Sequence, residues 1–401
     1  MHTFSKIKSK DTVTIYYIGE FLTSFASSLA FAIYAVFLFS SGLNLLQINM
    51  VGFAFMITVF LLQVPTGAFA DALGRKNSTI IAYLLVAIGY FFYPTFRIFW
   101  AFVLAEIMVA VGKSFASGAY DAWMVDSQNL KGNVDFIFSR RNIVSKAAMI
   151  FGGLAGAYLA KINIAYPFYV GSILAMLSVI FFAIFMREDT HFAKVRIKEA
   201  FGKISRISRD AIGYCAGHRV IPWLIVGAVV FNFVFQPMNM YWSPRFNGML
   251  GDQIQLLGWI WTGFCLMMIA GSYLTQYMLK KKKSYTFILI VNVLLVAIPV
   301  VVSAISRNIL VALPAILIYE ISRGIEGPAQ LAYLNRFAEE KMRSTILSFE
   351  SMMASLGAAA GLFLFGLLAK NTSIEMSWIA AGIFSLILIP IFLRAKTKEG
   401  N

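Results

Sequence analysis

Polar positions are sparse along this chain and fall at intervals. They leave apolar stretches of about 20 residues, enough to cross a hydrocarbon layer of about 30 Å at 1.5 Å per residue. Twelve such stretches can be counted, at 13–40, 47–70, 78–96, 99–124, 142–160, 165–186, 220–243, 254–279, 285–305, 309–331, 344–369 and 375–394. The breaks between them are short except for 187–219, which holds eight basic residues. The pattern predicts an all-α membrane protein of twelve transmembrane helices: a six-helix bundle over 1–186, a basic linker over 187–219 and a second six-helix bundle over 220–401. In the linker, Phe192, Val195, Ile197, Phe201 and Ile204 are interleaved with Lys and Arg. That spacing suits a helix lying along the membrane surface, and a solvated linker suits it equally.

Composition narrows this further. With 59% hydrophobic and 13% charged residues in 401, and a mean hydropathy of +0.75, there is too little polar side chain to cover a soluble globule. No room is left for a separate catalytic domain. Cys215 and Cys265 lie far apart with no CxxC spacing, so no disulfide framework, metal site or cofactor is expected. The net charge of +15 would suggest nucleic acid in a soluble chain, but here its placement matters more. Of the 34 Lys and Arg residues, all but Arg97, Lys161, Arg245, Arg307, Lys370 and the intramembrane Lys113 and Arg323 fall on the tails, loops and helix ends of one side. The bias predicts a multi-pass protein of the inner (plasma) membrane with both termini cytoplasmic, and it accounts for the basic pI without nucleic acid. The basic start runs into an apolar stretch of about 28 residues without a small-residue cleavage pattern, which reads as a spanning helix and not a cleaved leader.

The two halves look like weak repeats. Spans four and ten carry Glu106 and Glu320, and each is followed by an Arg (Arg140, Arg343) with a Ser five residues on (Ser145, Ser348).

Between spans two and three the chain reads Gly67-Ala-Phe-Ala-Asp71-Ala-Leu-Gly74-Arg75-Lys76. Gly67 admits a close helix neighbour, Asp71 can accept from amides at a helix N-terminus, Gly74 supplies a tight turn, and Arg75 and Lys76 present fixed cations. This GxxxDxxGRK pattern, in a chain of six helices, a basic linker and six helices, resembles the signature loop of the major facilitator superfamily. The resemblance implies two bundles around a central cavity and an ionic lock at the cytoplasmic face. In that lock Asp71 docks on the start of helix eleven, near Arg343 and Ser344, and Arg75 engages Asp126. The sequence departs from the family pattern in three places. The loop between spans eight and nine is Lys280-Lys281-Lys282-Lys283, span four has Lys113 where a fuller Arg motif is usual, and span five has Gly152-Gly-Leu-Ala-Gly156-Ala without the GP pair of family antiporters.

Ionisable side chains within a span cost about 2.5 to 3.5 kcal/mol on insertion scales, so each is a site candidate. Glu320 lies about 16 Å into span ten, near the midplane, with Arg323 and Glu326 at i+3 and i+6. The triplet and Glu106 are the expected proton-coupling residues, and a static ion pair is the plainer alternative. Gly67, Asp71, Gly74, Arg75, Lys76 and Asp126 are the expected cytoplasmic gate. The expected substrate cavity is lined by Glu20 and Ser24 of span one, Lys113 and Asp121 of span four, and Asn232, Gln236 and Asn239 of span seven, where Pro237 should kink the helix. For Glu20, snorkelling to the interface is the alternative. No nucleophile and base stand at workable spacing, so no enzyme is expected. The resemblance, closest to bacterial drug-efflux-like members, implies a monomeric secondary transporter that moves a small molecule and protons across the bilayer by alternating access. Proton-coupled export of a lipophilic or cationic compound is the leading expectation, and proton-coupled import of a small nutrient is the alternative.

Overall fold

The computed structural model describes residues 9–63, 74–128, 134–187, 207, 209–215 and 217–395. The helices in chain order are α1 (Ser9–Ser28), α2 (Tyr34–Ser40), α3 (Leu45–Leu62), α4 (Arg75–Thr95), α5 (Phe99–Gln128), α6 (Val134–Ile162), α7 (Tyr166–Phe185), α8 (Ile221–Met249), α9 (Leu256–Lys280), α10 (Tyr285–Ile305), α11 (Ile309–Phe337), α12 (Arg343–Asn371), α13 (Ile374–Ser385) and α14 (Leu388–Ala395). No strand occurs among the described residues.

Among the described residues, ten helical stretches are long and apolar enough to cross a membrane, with α13 and α14 counting as one. The two remaining predicted spans are special. Span one breaks at residues 29–33 into i→i+3 turns, Phe31 N–H to Ser28 O at 3.1 Å and Ile33 N–H to Ala30 O at 3.1 Å, which separate α1 from α2. Span ten is α11, whose Glu320, Arg323 and Glu326 put three charges within seven residues of its middle, with Arg336 in its last turn. Span twelve also bends: Pro390 cannot donate to the Leu386 carbonyl, and α13 passes into α14 through 3₁₀-like turns.

Side chains distribute as lipid demands. Trp100, Ile98, Ile173 and Ile298 are exposed, whereas Glu20, Asn49, Gln236, Glu320 and Gln330 are buried. With apolar solvent outside, polar groups gather where other helices can satisfy them.

The chain forms two compact units, one of residues 1–34 and 61–203 and the other of residues 35–60 and 204–401. Residues 35–60, which include most of α2 and α3, therefore group with the later helices. Asn49 Nδ2 donates to Leu362 O at 2.8 Å, and Tyr241 OH to Leu45 O at 3.0 Å.

The first unit is built on α1 against α6 and α4 against α5 and α7. The second is built on α8 against α12, α10 against α11 and α13, and α9 against α11. Glycines set the closest approaches. A Cβ on Gly152 would stand 2.7 Å from the Phe25 carbonyl, and one on Gly156 would overlap Leu29 O. On α12, a Cβ on Gly357 or Gly361 would overlap Val229 O or Phe233 O. Both pairs are four residues apart and both seat on carbonyls four residues apart, so α1–α6 and α8–α12 pack by one device. This packing sets the repeat two residues away from the register suggested by the Arg–Ser spacing: Ser145 corresponds to Glu350 and not to Ser348.

At one end of α8, the Arg245 side chain is buried and joins three helices. Its guanidinium pairs with Glu375 of α13, donates to the carbonyls of Ser303 (3.0 Å), Ala304 (2.9 Å) and Ser306 (3.1 Å) at the end of α10, and lies over the Trp378 ring. α8 runs unbroken through Pro237, whose carbonyl accepts from Trp378 Nε1 at 3.0 Å.

Candidate functional site

In the first unit three helices turn one polar face each toward a common space. α1 offers Glu20, Thr23, Ser24, Ser27 and Ser28, α5 offers Lys113, Ser117 and Asp121 at i, i+4 and i+8, and α6 offers Arg141 and Met149. With Tyr83 and Val86 of α4, they line a cavity of about 270 Å³.

Arg141 is the hub of this space. Its Nε donates to Glu20 Oε2 at 2.8 Å and its Nη1 to Asp121 Oδ2 at 2.9 Å. The other oxygen of each carboxylate is also engaged: Ser24 OH donates to Glu20 Oε1 at 2.7 Å, and Tyr16 OH to Asp121 Oδ1 at 2.7 Å. Ser24 also bonds Ser145 at 2.8 Å, and Tyr120 OH donates to the Tyr16 carbonyl at 2.6 Å. One guanidinium thus bridges two carboxylates on different helices, and hydroxyls fix each carboxylate's orientation. Glu20 is 6% exposed, so it lies within the unit and does not snorkel.

Farther along α5 the chemistry changes. The Lys113 ammonium lines the cavity and sits 5.3 Å from the Phe31 ring centroid. Glu106 is not among the cavity's lining residues. It accepts from Tyr93 OH, which is 3.1 Å from Tyr34 OH, so a pair of phenols holds this carboxylate.

In the second unit, Glu320 is 2% exposed and forms an i,i+3 ion pair with Arg323 at 3.3 Å. Glu326 is half-buried. Gln330, a turn beyond Glu326, donates to Leu224 O at 3.1 Å and to Glu350 Oε1 at 3.5 Å. The amides of α8 stay on their own helix: Asn232 donates to Ala228 O at 3.0 Å and Gln236 to Asn232 O at 2.9 Å, while Asn239 is half-buried.

Of the expected gate residues, Gly67 and Asp71 lie outside the described residues. Gly74 has φ +88° and opens α4. Arg75 Nε is 3.4 Å from Asp126 Oδ2, with the carboxylate largely exposed, and Lys76 Nζ donates to Ala183 O at 2.7 Å. Among the described residues no cluster of His, Cys, Asp and Glu is arranged to hold a metal ion.

The sequence reading missed Arg141, Tyr16, Tyr93 and Glu350. A signal for Arg141 was present. Followed back along α6, the small-residue face Gly156, Gly152, Met149, Ser145 continues to Arg141 and not to Arg140, which stacks on Phe136 at 4.3 Å. Counting both arginines as loop charges of one side hid the distinction.

Residues 16–349 match the family model of the major facilitator superfamily. The chain is 21% identical over 389 residues to the uncharacterized MFS-type transporter YxaM of Bacillus subtilis (strain 168), covering 95% of this chain and 94% of that protein. Its fold is similar to that of the nucleoside transporter NupG, at a TM-score of 0.80 and 14% identity, over 96% of this chain and 100% of that one. It is also similar to a D-xylose-proton symporter, at a TM-score of 0.70 and 15% identity, over 97% and 99% of the two chains. The chain belongs to the major facilitator superfamily and is a multi-pass membrane transporter of the secondary active kind, not an enzyme.

Proposed function

We propose that this protein is a proton-coupled transporter of a compact, polar organic solute, which it binds at the cavity of the first unit. The carrying observation is the lining: two carboxylates, a guanidinium, an ammonium and a series of hydroxyls around about 270 Å³. The two carboxylates are already paired to Arg141 and balanced by Lys113, so the lining offers a lipophilic cation no net attraction, and hydroxyls on α1 and α5 suit a ligand with several hydrogen-bonding groups. The nutrient-import alternative therefore gains over drug-type export. The similarity to a nucleoside transporter and to a xylose-proton symporter agrees with a solute of this size.

Coupling follows from one guanidinium serving two carboxylates. A proton on Glu20 or Asp121 removes half of Arg141's partners, and the freed N–H groups can then be satisfied by the solute. Losing the solute returns Arg141 to both carboxylates and expels the proton. Glu320 with Arg323, and Glu106 with its phenols, are further proton-sensitive pairs. Arg75 with Asp126 belongs to the gate, together with Asp71 and Gly67. The basic bias supports both termini in the cytoplasm of a plasma-membrane protein, and a cavity lined by one chain supports a monomer as the working unit.

The test is transport into liposomes containing the purified protein under an imposed pH gradient, with nucleosides, sugars, amino acids and lipophilic cations offered in turn. The reading expects proton-linked movement of one polar class, abolished by Arg141→Gln and uncoupled from the gradient by Glu20→Gln. Movement of lipophilic cations alone, undiminished in Arg141→Gln, would overturn it and restore export as the reading.

A further inference from the structure

The connection from α9 to α10 is Lys280-Lys281-Lys282-Lys283-Ser284, and the transport reading gives it no part. All four lysines are exposed. None forms an ion pair with an acidic side chain among the described residues.

The turn is well bonded. The amides of Lys281, Lys282 and Lys283 donate to the carbonyls of Tyr277 (3.0 Å), Leu279 (2.9 Å) and Met278 (3.0 Å). Lys282 takes φ +56°, a left-handed conformation that residues other than glycine seldom adopt. Ser284 caps α10, accepting from Phe287 N–H at 3.2 Å. Four like charges are thereby gathered on a short, defined hairpin beside a helix N-terminus, whose dipole is also positive.

Two of the ammoniums rest on aromatic rings. Lys281 Nζ is 5.8 Å from the Tyr277 centroid and Lys283 Nζ is 5.5 Å from that of Phe287. Both rings are exposed, and so are Tyr273 and Leu266 along α9 and Leu294 and Ile298 along α10. Aromatic rings at the end of a lipid-facing apolar surface sit at the headgroup level, which puts the lysines among lipid phosphates.

We propose that the Lys280–Lys283 turn is a binding site for the headgroup of an anionic phospholipid, whose acyl chains lie on the exposed apolar faces of α9 and α10. The charges select the headgroup, since a zwitterionic lipid carries its own cation and gains less from four ammoniums. The apolar faces select a lipid over a free phosphate, which has no chains to lay against them. Both helices that meet in this turn pack on α11, so an occupied site braces the helix that carries Glu320 and Arg323. The inference is independent of the transported solute.

The experiment uses the full-length protein in nanodiscs of phosphatidylcholine or of phosphatidylcholine with phosphatidylglycerol. It reads the lipid retained by mass spectrometry after mild delipidation and the thermal unfolding midpoint. The test variant combines Lys280→Gln, Lys281→Gln, Lys282→Asn and Lys283→Gln, with Asn chosen because it tolerates the left-handed backbone. A control combines Lys161→Gln with Lys370→Gln. The wild type and the control should retain phosphatidylglycerol about tenfold over phosphatidylcholine and unfold at a higher temperature when it is present, and the four-site variant should lose both effects. Inorganic phosphate should not displace the lipid. An unchanged preference in the four-site variant, or displacement by phosphate alone, would overturn the proposal.

Discussion

The two units use the same joint and fill it differently. On α6, Gly152 and Gly156 seat on the carbonyls of Phe25 and Leu29, and on α12, Gly357 and Gly361 seat on those of Val229 and Phe233. In that register Glu20 corresponds to Leu224 and Arg141 to Ile346. The first unit has an ion pair where the second has two fully buried aliphatic side chains. The joint therefore does not require the charges. Within a membrane bundle an ion pair is costly to desolvate, and a well-packed apolar pair of similar size is often as stable. An ion pair retained on one side only points to use in function.

The sharpest way to break this comparison is to unpair the charges. Arg141→Leu leaves Glu20 buried without its cation, and about 3 kcal/mol should be lost, the low end for a broken buried pair because Arg141 and Asp121 are partly exposed. A lowered unfolding midpoint in detergent, with transport abolished, is the expected readout. Copying the second unit by combining Glu20→Leu with Arg141→Ile should recover stability to within about 1 kcal/mol of wild type while transport stays absent. Recovery of transport in that double variant would make the pair structural.

A bulkier residue at the joint comes next. Gly156→Val and Gly361→Val should each cost about 2 to 3 kcal/mol, since the clash is with backbone and cannot be relieved by a rotamer. Unequal losses would show that the two joints are not equivalent. Tyr16→Phe removes one hydrogen bond to Asp121 and should cost about 1.5 kcal/mol. It should also slow transport, because Asp121 is then oriented by its Arg141 contact alone. The smallest effect on stability belongs to Arg75→Gln, where the partner is largely exposed and the loss should stay within about 0.5 kcal/mol. Transport measured alongside separates a gate from a surface pair.

The helices were legible because lipid imposes a length and a composition on each span, and the two units repeat that rule throughout. The breaks inside spans one and twelve were less so. Pro390 marks the second, but nothing between Leu29 and Ile33 is a helix breaker by type, and the turn there accompanies the closest approach to Gly156. The grouping of 35–60 with the later helices was also unreadable, because it rests on contacts such as Asn49 with Leu362 that span most of the chain. At the candidate site, Glu20, Ser24, Lys113 and Asp121 stand out by their polarity within apolar runs and line the cavity of the first unit, whereas Asn232, Gln236 and Asn239, expected beside them, are not among its lining residues. Arg141 was not, because a cation near a helix end looks like any other loop charge until the face it shares with Ser145 and Gly152 is followed. Asn232 and Gln236 show the converse, since polar side chains in a span can be satisfied by their own backbone.

Arg245 has a mechanical consequence for the second unit. A single planar cation with several donors ties the end of α8 to three carbonyls at the end of α10 and to a carboxylate on α13. Pulling α8 or α10 aside breaks several of these bonds at once, and pulling α13 aside takes the carboxylate from a guanidinium whose side chain is 7% exposed. The three ends are thus riveted, and bending one helix out of the group costs more than moving the three together. A lysine in the same place would be a pin in one hole, and the group would come apart into separate levers.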